Sequence, residues 1–214
     1  MAAKSGGGRP TEYRLADGTR VPGVTTITHL LDKPGLVQWA YKLGREGRDY
    51  RQVRDEAAEK GKAVHAWIEK ALVTKTVDAS TADPAWRPAA DAFAFWLRGT
   101  DIEIDRTEVP LVSEAYRFGG TIDALTKAGV VVDWKSGNRI YAEHVVQVAA
   151  YSVLANDEHG RMKTDHAHIL RVDKDTGGFA HIYLPEQGLA EGWAMFRLLR
   201  ELYDQIKKVE AYAR

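Results

Sequence analysis

The sequence predicts an α/β domain in which helices cover a mixed β-sheet. Three observations predict it. Segments with apolar residues at helical spacing alternate with short strand-like runs. The stretch "GGTIDALTKAGVVVDWKSG", residues 119–137, reads as a tight hairpin with a buried return strand. A second strand pair, "HAHILRVDKDTGGFAHIYL", lies between two helical segments.

Taken in chain order, residues 12–24, "EYRLADGTRVPGV", suit a hairpin around Asp17-Gly18. Residues 35–47 and 50–73 suit helices, the second with Ala63, Val64, Trp67, Ile68 and Leu72 at helical spacing. A helix over 84–98 is expected to open with Asp83 as N-cap and Pro84 in its first turn. Strands follow at about 101–112, 116–125 and 130–135, then a helix over 141–156. The second strand pair turns at Gly177-Gly178. An amphipathic helix over 187–212 closes the chain, with Leu189, Trp193, Phe196, Leu199, Tyr203 and Ile206 on its inner face.

The 214 residues, 44% hydrophobic and 28% charged, are those of a globular chain. Neither a repeat nor an internal linker interrupts it, so 11–214 read as one domain behind a flexible tail, 1–10. No apolar run reaches the roughly 20 residues that span a bilayer, and the N-terminus has no apolar signal region. No membrane role and a cytosolic location are expected. The absence of cysteine excludes disulfides, thiolate metal sites and a Cys nucleophile. The formal net charge is zero, which argues against a wholly basic surface but is compatible with a basic groove beside an acidic metal site.

The chemistry concentrates in the first hairpin. A three-residue loop, Lys127-Ala128-Gly129, with Gly129 left-handed, would pair Thr126 with Val130 and set Asp123 opposite Asp133. Lys135 would share the Asp133 face, and Trp134 would point away. Facing acids repel, so they gain from a cation between them. Two carboxylates and the Trp134 carbonyl are hard oxygen donors for Mg²⁺ or Mn²⁺. A four-residue loop would shift the register and separate the acids.

Other residues admit two readings. His65 shares a helical stripe with Gly61 and Glu69, either as a satisfied half-buried histidine or as a further metal ligand. Gln147 and Tyr151, with His144, form the polar stripe of an otherwise apolar helix. They face either internal strands or a nucleic-acid backbone, where Tyr151 could stack on a base. Glu108 either orients a ligand or is exposed. Arg45, Arg48, Arg51 and Arg54 form either a solvated face with acidic partners or the wall of a groove.

The segments "GKAVHAWIE", "GGTIDAL", "VVVDWKSG" and "QVAAY" follow in an order and spacing that resemble the RecB-like branch of the PD-(D/E)XK nuclease superfamily. That branch includes phage exonucleases, AddAB-type nucleases and the mitochondrial genome maintenance exonuclease. "VPGVTTITHLLDKPGLVQWAYKLG" also resembles a leader found in some members, and the match covers about residues 21–155. The resemblance implies a restriction-endonuclease-like fold and a metal-dependent DNA nuclease, of the exonuclease kind, in a bacterial or phage-infected cell. It implies that His65 and Asp123 ligate metal, that Asp133 fills the D/E position and that Lys135 is the catalytic lysine. Gln147 and Tyr151 would lie along the DNA path, and the partner would be single-stranded DNA or duplex ends. Ile122 stands where the family name has proline. The four cysteines of iron–sulfur members are absent, as is a helicase segment, so any helicase or recombination partner would be a separate chain. The rival readings are a nucleic-acid-binding module of this fold without catalysis, and an interaction protein whose hairpin acids are solvated.

Overall fold

The computed structural model describes residues 4–5, 10, 12–31, 33–159 and 164–213. Most of the expected tail lies outside them. Lys4–Ser5 (β1) are described, and they pair in parallel with Arg106 and Thr107.

The chain continues as the hairpin β2 (Tyr13–Arg14) and β3 (Arg20–Val21), then the helices α1 (Val24–Thr28), α2 (Pro34–Arg45) and α3 (Tyr50–Thr74). A 3-10 turn precedes α4 (Arg87–Gly99). The strands β4 (Ile104–Ser113), β5 (Phe118–Thr126) and β6 (Val131–Lys135) form an antiparallel meander. Helix α5 (Ala142–His159) leads to β7 (His166–Val172), which lies parallel to β6. β8 (Phe179–Pro185) returns antiparallel, and α6 (Glu186–Glu210) closes the fold. The main sheet runs β1-β4-β5-β6-β7-β8, so five long strands carry a two-residue strand at one edge. The expected mixed sheet covered by helices is present.

Adjacent residues of the central strands point to opposite faces, as the pleat requires. Val131 and Ile169 pack with α1, α5 and α6, through Ile27, Val148, Leu154 and Phe196. Val132 and Leu170 pack with α3 and α4, through Val64, Ile68 and Phe93. Burial on both faces explains why β6 begins as an unbroken valine run.

Local chemistry sets most boundaries. Asp49 Oδ1 accepts the Arg51 amide at 2.7 Å and caps α3, after Gly47 turns left-handed (φ 69°). The hairpin loop is as expected. Gly129 is left-handed (φ 78°), and the Thr126 amide donates to the Val130 carbonyl at 3.0 Å. Gly177, at the second expected turn, is also left-handed (φ 70°).

Two expectations are corrected. α4 begins at Arg87, not 84, and Asp83 caps the preceding turn by accepting the Ala85 amide at 2.8 Å. Pro88, not Pro84, falls in its first turn, where a missing N–H costs nothing. α1 was not expected, because five residues give too short a window for helical periodicity.

The β2–β3 hairpin docks on the start of β5. The Gly119 amide donates to Pro22 O at 3.0 Å, and Tyr13 Oη lies 2.9 Å from Thr121 Oγ1. Next to it, Gly120 seats the Tyr151 ring, and a Cβ there would stand 2.6 Å from Tyr151 Cε1. Gly120→Ala is expected to destabilise the fold by about 1–3 kcal/mol through overpacking. Denaturant melts check this, and an unchanged midpoint would refute the packing account.

Candidate active site

The β5–β6 ladder begins at the glycine turn and records Leu125↔Val131 and Ala124↔Val132. In a continued ladder, the Trp134 amide would donate to the Ile122 carbonyl. It donates instead to Asp123 Oδ2, at 3.2 Å. The Asp123 carboxylate therefore fills the gap where the two strands part, and only 3% of the residue is exposed.

Glu108 reaches the same place from β4. Thr107 pairs with Ala124 and Val109 with Ile122, which leaves Glu108 across from Asp123. Its φ is +46°, a left-handed conformation inside a strand. Thr107, Glu108 and Val109 are all buried. Such a conformation costs on the order of 1–3 kcal/mol in a non-glycine residue.

His65 comes from the middle of α3. Its Nδ1 lies 3.8 Å from Asp123 Oδ2, and its ring meets Trp134 edge-on at a centroid distance of 6.4 Å. Gly61, one turn earlier, lets α3 approach the end of β6, since a Cβ there would stand 2.8 Å from Ser136 Oγ. His65, Glu108 and Asp123 each place one ligand atom within 4.8 Å of the others, and they are the only such group among the described residues. Donors on opposite sides of a cation with bonds near 2.1 Å are about 4.2 Å apart, so a small closure would fit this set to one ion. Two carboxylates and an imidazole suit Mn²⁺ and, with less preference, Mg²⁺.

Asp133 lies outside this group. It is fully buried, with Oδ2 2.7 Å from Lys135 Nζ. The expected pairing of Asp123 with Asp133 about one cation is not what this group of three contains; there Glu108 joins Asp123. Trp134 meets Asp123 through its amide.

Lys135 points towards α5, as its register predicts. Its Nζ donates to Gln147 Oε1 at 3.0 Å, and Gln147 Nε2 donates to Tyr151 Oη at 2.9 Å. Asp133, Lys135, Gln147 and Tyr151 form one chain of contacts. Tyr151 is 2% exposed, so its ring is not available for stacking on a base. Of the two readings of this polar stripe, internal strands are what it faces.

Arg45 closes α2, and Arg48 sits in the following turn, 3.8 Å from Glu46. Arg54 pairs with Asp55 at 2.7 Å. These pairs are those of a solvated face. The break at Gly47 also puts Arg45 and Arg54 on different helices.

Two features were missed. Pro110, two residues beyond Glu108, lies in β4 with no strand partner outside it among the described residues, and proline in a strand marks an edge or irregularity. That was the available signal for the Glu108 distortion. His144 is the other: burial first, then the Lys135 charge, lower its pKa from 6.5 to about 4. No family model matches this chain, and no curated protein is significantly similar to it.

Two predictions follow from this geometry. If φ at Glu108 is strained, Glu108→Gly will be more stable than Glu108→Ala by about 1 kcal/mol, the reverse of ordinary strand preference. Urea denaturation of both variants measures the difference. For His144, the unfolded chain takes up a proton as pH falls through 6.5, while the folded protein does so only near 4. Its contribution is therefore fully present above 6.5 and is lost as pH falls towards 4. His144→Gln should flatten the stability profile in that window, read from melts at several pH values.

Proposed function

We propose that this protein is a divalent-metal-dependent DNA nuclease, of the exonuclease kind, on a restriction-endonuclease-like scaffold of the RecB-like PD-(D/E)XK type. The observation that carries the reading is the meeting of His65, Glu108 and Asp123, from a helix and two strands, with Asp123 holding the amide of Trp134, the residue between Asp133 and Lys135.

Phosphodiester hydrolysis needs accelerations near 10¹⁷, and a general base contributes only about 10²–10⁴. His65, Glu108 and Asp123 would hold Mg²⁺ or Mn²⁺, which when bound polarises a phosphoryl oxygen and acidifies water. The remaining work belongs to the chain. The Trp134 amide fixes the Asp123 carboxylate. Lys135 Nζ donates to Gln147 and lies against the Asp133 carboxylate, and its other N–H bonds would meet a phosphate oxygen or an attacking water. Gln147 and Tyr151 are positioning residues for that ammonium. Exposed Arg45 and Arg48 are the proposed DNA phosphate contacts, and any helicase or recombination partner is a separate chain. The cell compartment is proposed as cytoplasmic, and among the described residues no helix is long and apolar enough to cross a membrane.

One observation favours a second reading, a DNA-binding module without cleavage: Asp133, the D/E position, is held by Lys135 outside the three-residue group. End-labelled single- and double-stranded DNA, incubated with Mn²⁺ or Mg²⁺, separates the two. The nuclease reading expects cleavage by the wild type, at least about a hundredfold less with Lys135→Met, and background levels with Asp123→Asn. Asp123→Asn should also lose Mn²⁺ binding while its circular dichroism is unchanged. DNA binding without cleavage on every substrate would establish the module instead.

A further inference from the structure

Three of the seven histidines lie on one face of the β7–β8 pair, away from the acidic cluster. His166 and His168 alternate along β7, and His181 stands on β8, diagonal to His168. His168 Nδ1 and His181 Nε2 are 3.0 Å apart. The His166 ring lies 5.3 Å from that of His168 and stacks on Tyr183 at 5.2 Å. β8 is the outer strand of the sheet. Outer strands usually carry charges or proline against edge pairing, so this group of imidazoles calls for its own account.

We propose that His168 and His181 bind a borderline transition-metal ion, with Zn²⁺ as the reference case, and that His166 is the third ligand. Tetrahedral Zn²⁺ with bonds of about 2.0–2.1 Å places two nitrogens about 3.3 Å apart, a few tenths from the observed spacing. One ring donates to the other across this contact, and a tautomer shift that puts the ring protons on His168 Nε2 and His181 Nδ1 would turn both facing nitrogens into lone-pair donors for an ion. His166 is prepared in a different way. Its Nδ1 lies 2.7 Å from Asp165 Oδ1, the carboxylate–imidazole pairing that supports metal-bound histidines and leaves Nε2 for the ion. A rotation about the His166 side chain would close the set, since its nitrogens do not yet lie with the other two. The surroundings favour neutral rings. Burial, then His181 and His166, lower the His168 pKa to about 4, and burial lowers that of His181. A hollow of about 370 Å³ beside His166 and His168 is lined by Asp101 and Glu103, with Lys127 the one cation among its lining residues.

Imidazole nitrogens select Zn²⁺, Ni²⁺ or Cu²⁺ over Mg²⁺. The ion would tie the outer strand to β7, independently of the nuclease reading. Zn²⁺ is titrated by calorimetry into the untagged full chain, its Glu108→Gln/Asp123→Asn variant, His168→Ala and His181→Asn. The acidic-site variant is expected to keep one Zn²⁺ equivalent and a Zn²⁺-dependent rise in melting temperature. Both histidine variants should lose at least tenfold in affinity at that equivalent, and ¹⁵N spectra should show His168 Nδ1 and His181 Nε2 shifting with Zn²⁺. His181 is exposed, so its replacement spares the fold even if His168→Ala does not. Loss of all Zn²⁺ binding in the acidic-site variant, or undiminished affinity in His181→Asn, would overturn the proposal.

Discussion

The structure turns on the place where β5 and β6 stop pairing. The ladder that begins at the Gly129 turn is last recorded at Ala124↔Val132. Beyond it, the carboxylate of Asp123 takes the Trp134 amide that a backbone carbonyl would have taken. A backbone donor in a sheet interior must be satisfied, so the parting of the strands and the position of Asp123 are one event. Without that bond the gap would leave an orphan amide, and without the gap the carboxylate would have no access to His65.

Because β6 is buried on both faces, the same strand serves two environments. Trp134 packs with Phe93 on the α3–α4 side, at a ring distance of 6.1 Å, and so stands close to His65. Asp133 and Lys135 alternate to the other side, where Gln147 of α5 receives the ammonium. The acidic cluster and the lysine are therefore held by different helices and meet at the backbone of β6. A change in α3 packing acts first on His65, whereas a change in α5 acts first on Lys135.

Much of this was legible in the sequence. Gly129 specifies the left-handed residue of its loop, and the register up to Val132 follows by counting. The stripe of α3 put His65 on the correct face, and the polar spacing of Gln147 and Tyr151 marked a side that needed internal partners. The role of Glu108 was barely legible, because a left-handed φ at a glutamate is imposed by tertiary context and its sole sequence signal is Pro110 two residues on. The same holds for the Asp123–Asp133 pairing. Counting assumes that a ladder continues, and a side chain that replaces a carbonyl as acceptor breaks the count without any change in composition. The burial of Tyr151 was not legible, because its ring sits against Gly120, more than thirty residues away in sequence.

The cost of the cluster bears on its purpose. Two negative charges 4.8 Å apart, the outer limit of the cluster's ligand-atom spacing, would repel by about 3 kcal/mol at an effective dielectric near 20. The left-handed Glu108 adds on the order of 1–3 kcal/mol. Together these terms are comparable to a sizeable part of the 5–15 kcal/mol that typically stabilises a domain. A hydrophobic or amide residue at either position would remove the repulsion at once, and glycine at 108 would remove the strain. A divalent cation reverses the sign of the first term and makes use of the second, since the distortion at 108 is what turns that carboxylate towards Asp123.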